Sequence, residues 1–281
     1  MAVADKRVEL IQPAHSRLLI SLMNIRHLAK TGIISFPQKI ADTTGNIYLK
    51  DTQYRPLPRW SPKALGHAFA SIPFHVRLKN DYFLILHQNG RLQAISRKGQ
   101  NYTGFPVDLK EAIHNPLVIK KGNSAANTLL ITLTDAGRLN RHTLTGMLQN
   151  SIQLDKPTTA TQFILCPDEA KGSSYAILRQ DLDRFALLDE AGKVLFEKEH
   201  KAAQPLLCQY YNLGKHQFYV VTDQGQHMSH IYDEQGNAMN LAPLPNSQRV
   251  SLYLTAGNTQ LLIYSNFKDQ TLQYILITAE N

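Results

Sequence analysis

Cysteine and tryptophan are almost missing from this sequence of 281 residues, which has two of the first and one of the second. Two cysteines, Cys166 and Cys208, are too few for a disulfide framework or for a zinc site with four cysteine or histidine ligands from paired motifs. No apolar run approaches the roughly 18 residues of a membrane-spanning helix. Leu18-Leu19-Ile20 followed by Leu22-Met23, for example, falls far short. The first ten residues mix polar and charged side chains and lack the apolar core of a signal peptide. No run of Lys and Arg exceeds two residues, which argues against a basic tail for nucleic acid. Gly-x-Ser-x-Gly elbows, P-loops and dinucleotide fingerprints are absent as well. What remains is a composition of 43% hydrophobic and 19% charged residues, that of an ordinary soluble globular protein with a core large enough to need no staples.

Charge is unevenly spread. Residues 1–122 carry 18 Lys and Arg against 7 Asp and Glu, whereas residues 123–281 carry 12 against 15. The N-terminal part of the fold is therefore expected to present a basic face, of a kind that attracts nucleic acid, anionic lipid or acidic glycan, and the first two blades are the expected contact side.

Self-similarity decides the fold class. Gly90–Gly99, Gly137–Gly146 and Asp183–Gly192 each run from a turn residue through an alternating strand to a glycine nine residues later. Gly225–Gly236 has the same form with two more residues, Gly45–Asp51 is an earlier copy, and Asp269–Leu276 a sixth. The first-turn positions 45, 90, 137, 183 and 225 are spaced by 45, 47, 46 and 42 residues. Asp183 stands where other copies have glycine, a position that Asp fills by tolerating positive φ. Short apolar runs precede each turn: Tyr82–Leu86, Leu129–Leu133, Tyr175–Leu178, Phe218–Val221 and Leu261–Tyr264. With one strand upstream and one downstream, each period of about 45 residues yields four strands, the blade of a β-propeller.

The expected architecture is all-β: one domain, 1–281, forming a six-bladed β-propeller of four-stranded antiparallel blades. The blades fall near 14–60, 64–109, 113–155, 158–200, 203–246 and 248–278. The period makes Leu18–Ile25 an inner strand, in competition with a helix over Arg17–Lys30 capped by Ser16. The last blade reads as three strands, and Arg7–Ile11 (residues 7–11) is the spare segment expected to pair with Leu272–Thr278 and close the ring.

The Gly-x-Leu/Ile-x6-Gly pattern behind an apolar strand resembles the quinoprotein-type (PQQ-like) and WD-like repeat propellers. Asp51–Lys63, Asn80–Ile85, Ser96–Gly99 and Thr103–Val107 are similar to the C-terminal propeller region of uncharacterised bacterial envelope-associated proteins, best over residues 33–110. That resemblance implies the end of a longer, membrane-anchored chain and an extracytoplasmic location; without a longer chain the location would be cytoplasmic. No catalytic residues carry over. The single Trp60, followed by Ser61, offers neither the repeated tryptophan docking of quinoproteins nor a Trp-Asp dipeptide.

Other residues read as structural. The eleven histidines show no metal-ligand spacing, and His227 and His230, placed on one strand, would face opposite sides. Asp181, Asp183 and Asp189 lack the glycine and the bidentate Glu of a calcium loop. Cys166 and Cys208 fall at equivalent places in neighbouring repeats and read as buried structural thiols. Trp60 packs between blades or forms a recognition edge with Arg55 and Arg59. The expected function is a non-catalytic protein-interaction or scaffold module, monomeric, with an unidentified protein partner, no nucleic acid, no cofactor, no metal and no membrane span. A carbohydrate-binding or glycan-processing module is the first alternative and a quinoprotein-type oxidoreductase the second.

Overall fold

A computed structural model describes residues 38–41, 46–50, 63–64, 67–96, 98–170, 172, 174–239, 242–246, 248–254, 260–266 and 272–278. All regular elements among them are strands, arranged in antiparallel sheets that each follow chain order. Arg7–Ile11, Leu18–Ile25, Arg17–Lys30 and Trp60 lie outside the described residues.

The chain divides into two compact units, one spanning residues 10–109 and one that includes residues 110–281. The first holds two sheets: β1 (Gln38–Ala41), β2 (Asn46–Lys50) and β3 (Lys63–Ala64), then β4 (Phe74–Arg77), β5 (Asp81–Leu86), β6 (Arg91–Ile95) and β7 (Val107–Asp108). The second holds four. They are β8 (Val118–Lys120), β9 (Leu129–Leu133), β10 (Arg138–Thr143) and β11 (Leu148–Gln153); β12 (Gln162–Pro167), β13 (Tyr175–Gln180), β14 (Arg184–Leu188) and β15 (Val194–Glu199); β16 (Leu207–Asn212), β17 (Gln217–Asp223), β18 (Met228–Tyr232) and β19 (Leu244–Pro245); and β20 (Ser251–Leu254), β21 (Gln260–Asn266) and β22 (Leu272–Thr278). Among the described residues the fold is thus an all-β propeller with four complete four-stranded blades, not the six expected from the period. The two sheets at the ends of the chain have three strands each. In the first, β3 joins β2 over only two residue pairs, beyond position 60.

The second strand of each blade is the most apolar because both of its faces are covered. β13 is buried at all six positions and β5 at five of six. Such strands read as continuous apolar runs rather than alternations, which is why Tyr82–Leu86 and Leu129–Leu133 show no period of two. In the larger unit these strands form three apolar layers between successive blades. One joins Ile131, Leu133 and Leu139 to Phe163, Leu165 and Ile177. The next joins Ala176, Leu178 and Phe185 to Tyr210, Tyr219 and Val221, and the third joins Val220 and Ile231 to Leu252 and Ile263.

Two turns repeat in each complete blade. In the first, a backbone bond ties the end of the fourth strand to the turn residue: Leu109 to Gly90, Leu154 to Gly137, His200 to Asp183 and Asn246 to His227, with N–H donating to O at 3.0, 2.9, 2.8 and 2.8 Å. The turn residue of the β16–β19 blade is therefore His227, at φ 56°, and not Gly225. Asp223 explains the displacement, since its Oδ1 accepts the Gly225 and Gln226 amides at 2.9 and 3.0 Å and carries the chain two residues further before it reverses. With positions 90, 137, 183 and 227, the glycine of the second turn follows nine residues later in every blade, at 99, 146, 192 and 236. His227 accordingly sits in a turn and not on a strand with His230. Asp183 does not adopt positive φ; Asp181 N–H bonds to Arg184 O across an ordinary two-residue reversal.

The second turn is built by a Ser, Thr or Asp three residues before the glycine. The side-chain oxygens of Ser96, Thr143, Asp189 and Asp233 each accept amides two and four residues ahead. The glycine that follows has φ between 71° and 83°, a region costly for residues with a Cβ.

Candidate functional site

The second strands of two neighbouring blades carry a buried charge near their ends, Arg179 in β13 and Asp223 in β17. A buried charge must find partners, because burying it alone costs far more than the fold can offset.

Arg179, its side chain 8% exposed, finds three carboxylates: Glu197 at 3.2 Å, Asp181 at 3.3 Å and Asp155 at 3.5 Å. The strand register explains the first. Arg179 pairs with Ala186 and Ala186 with Glu197, so the guanidinium crosses above a methyl group to reach the carboxylate two strands away. Asp181 is 6% exposed; its Oδ1 accepts the Thr161 hydroxyl, and its Oδ2 faces Arg179 Nε without hydrogen-bond alignment. Glu197 also binds Arg184 at 3.1 Å, and Arg184 binds Asp183 at 3.0 Å. The Arg184 guanidinium holds the Asp183 carboxyl below the usual carboxylate range.

These residues line a cleft of about 690 Å³ beside Pro157 and Thr158, with Leu182 and Lys201 at its rim. Three cations (Arg179, Arg184, Lys201) meet three carboxylates (Asp181, Asp183, Glu197) there, while Leu182 is 66% exposed. The floor is fixed by buried ion pairs and the rim is open. Such a surface recognises charge and shape at fixed positions.

A second polar cluster follows on the neighbouring blade. His200, next to Lys201, binds Asp223 through Nε2 at 2.9 Å, and Asp223 is buried. Burial opposes the Asp223 charge, but the Gln226 and Gly225 amides and His200 together hold its carboxyl below the usual value. The His230 ring centroid stands 6.2 Å from that of His200, and burial first, His200 second, lowers the His230 pKa. The rings around His200 are Phe185 and His230, so the pair clamps one blade to the next. Among the described residues, no three His, Cys, Asp or Glu side chains converge as a metal site.

Cys166 and Cys208 are both free and buried. They are not equivalent in the repeat. By strand pairing, Cys208 aligns with Phe163 and Cys166 with Tyr211, three positions apart. An odd offset turns a side chain to the opposite face of its sheet. Cys166 therefore faces forward, Cys208 faces back, and both enter the same apolar layer between the β12–β15 and β16–β19 blades.

Sequence reasoning singled out Asp181, Asp183 and Asp189 only to dismiss calcium, and the structure brings the first two into the cleft while Asp189 caps a turn. It missed Arg179, Glu197 and Thr161. The available signal was Arg179 itself, a cation at the end of the apolar run Tyr175–Leu178.

No protein-family model matches the chain, and no curated protein matches it in sequence. Solved structures do resemble it. BBS1N in complex with ARL6DN aligns at 13% identity over 86% of this chain and 75% of that one, with a TM-score of 0.54. BamB from Moraxella catarrhalis aligns at 14% identity over 89% of this chain and 69% of that one, with a TM-score of 0.53. At these identities the likeness shows the fold alone, and that fold is the β-propeller.

Proposed function

We propose that this chain is a non-catalytic propeller whose cleft at Arg179 docks a protein partner. In this reading all six sheets belong to one propeller domain, the C-terminal part of a larger bacterial envelope protein. The observation that carries the docking role is the cleft itself, in which a buried guanidinium under three carboxylates fixes the positions of Asp183, Arg184 and Glu197 around exposed Leu182. An apolar side chain ringed by ordered charges is the composition of a binding centre with a polar rim. One of the similar solved structures, BBS1N, was solved with ARL6DN bound, which supports docking as a use of this fold. The location in the envelope rests on the resemblance of residues 33–110.

The test compares the parent chain with Leu182→Asp and Arg184→Glu, both at exposed positions. A partner captured by the parent, purified and titrated against all three, is expected to lose at least tenfold in affinity with each variant. Equal affinity for all three overturns the cleft as the docking site. Binding on a glycan array that disappears in the same variants replaces the protein partner by a saccharide.

A further inference from the structure

The two thiols invite a covalent reading that their burial alone does not suggest. β12 and β16 run side by side and in parallel, joined by a bridge between Asp168 and Tyr210, with Glu169 N–H donating to Tyr210 O at 2.8 Å. Cys166 and Cys208 each stand two residues before that bridge, so they occupy matching heights on neighbouring strands. Their opposite orientations within their own blades aim both sulfurs into one layer, beside Ala176, Tyr210, Tyr219 and Val221. Cys166 Sγ donates to Ile164 O at 3.4 Å within the layer it shares with Cys208. Burial first, and Cys166 second, push the Cys208 thiol well above its ordinary pKa. Both thiols are buried, so reagents do not reach them in the folded, reduced protein.

We propose that Cys166 and Cys208 form a disulfide between two blades when the chain folds in an oxidising compartment. The oxidant is a small disulfide such as oxidised glutathione, acting before the layer between the blades closes. One cysteine thiolate attacks the glutathione disulfide and expels one glutathione, leaving a mixed disulfide. The second cysteine thiolate attacks the protein-side sulfur and expels the other glutathione. Two protons leave the protein thiols, and two electrons pass to glutathione, which ends as two thiols. The bond joins positions 166 and 208, closing covalently a loop of about 40 residues that the chain otherwise closes by packing and hydrogen bonds. It would fasten the Arg179 blade to the blade holding Asp223.

The experiment refolds the whole chain in a glutathione redox buffer and, in parallel, in reductant. The oxidised sample is expected to be a monomer two hydrogens lighter by intact mass, with a peptide linking Cys166 to Cys208. Its melting temperature should exceed that of the reduced sample by about 5–10 °C. Cys166→Ser and Cys208→Ser should each remove the difference. If a serine variant fails to fold, the oxidised and reduced parent decide the matter alone. Two free thiols after oxidative refolding, only intermolecular dimers, or an oxidised monomer that melts no higher than the reduced one would each overturn the proposal.

Discussion

Replacing Gly236 by alanine separates what a repeated turn demands from what packing between blades demands. Gly236 has φ 81°, and a Cβ built there would stand 2.8 Å from Phe196 Cβ and 2.6 Å from Phe196 Cγ. Rotating the phenyl ring cannot relieve a contact with its own Cβ, so β15 must shift. Gly214 has a similar φ of 93° but meets no atom within 4 Å. Both substitutions carry the left-handed penalty of about 1–2 kcal/mol. Only Gly236→Ala adds an overpacking cost of about 1–3 kcal/mol, because Phe196 is buried in the layer between two blades. Gly236→Ala should therefore destabilise by about 2–5 kcal/mol and Gly214→Ala by about 1–2 kcal/mol, measured by urea unfolding followed by far-UV circular dichroism. A double-mutant cycle sharpens the test. With Phe196→Gly in the background, which removes both the ring and the Cβ, Gly236→Ala should cost no more than the turn conformation, leaving a coupling of about 1–3 kcal/mol. Equal costs for the two glycines, or no coupling to Phe196, would refute the assignment of this turn as an inter-blade contact.

Two further outcomes follow from buried polar groups. Burial depresses the pKa values of His87, His142 and His230, so as pH falls below about 6.5 the unfolded chain takes up protons that the folded one resists. Stability should be full above that pH and fall toward pH 5, by at most about 1.4 kcal/mol per pH unit for each histidine, whereas the lowered Asp223 pKa acts only below the usual aspartate range. A melting temperature unchanged between pH 7 and 5 would contradict this. Asn115 bridges blades: its Nδ2 donates to Leu133 O at 3.2 Å and Phe163 O at 3.0 Å, and its Oδ1 accepts Leu165 N–H at 2.7 Å. Asn115→Ala should cost about 2–4 kcal/mol by stranding buried backbone groups, and a loss under 0.5 kcal/mol in urea unfolding would show that the bridge is dispensable.

The propeller was legible because its turns are local. A strand pair closed within ten residues leaves glycine at a fixed offset, and the apolar strand before it has no freedom to alternate when both faces are covered. The same search slipped by two residues at Gly225. There the sequence supplies a glycine where the chain needs none, while His227 takes the left-handed position because Asp223 has already bonded the intervening amides. The better marker was the Ser, Thr or Asp at 96, 143, 189 and 233, whose spacing with the following glycine does not vary. Side-chain hydrogen bonds define that turn, whereas a glycine only permits it.

The cleft and the thiols were hidden for a different reason, since both depend on register between strands distant in sequence. Arg179 reaches Glu197 across Ala186 only because β13, β14 and β15 pair as they do, and nothing in the spacing of 18 residues announces it. Counting from Gly225 puts Cys208 17 residues before its turn, as Cys166 is before Asp183, and only the pairing shows that the two are not equivalent. Taken from the pairing, Cys208 aligns with Phe163 and Cys166 with Tyr211, an odd offset of three positions that puts both sulfurs in one layer. Had they been equivalent, as the count from glycine suggests, they would point into successive layers and never meet. The charged cleft and the paired thiols thus share a cause: each is a departure from the repeat at one position, and it acquires a partner through the register of the strands around it.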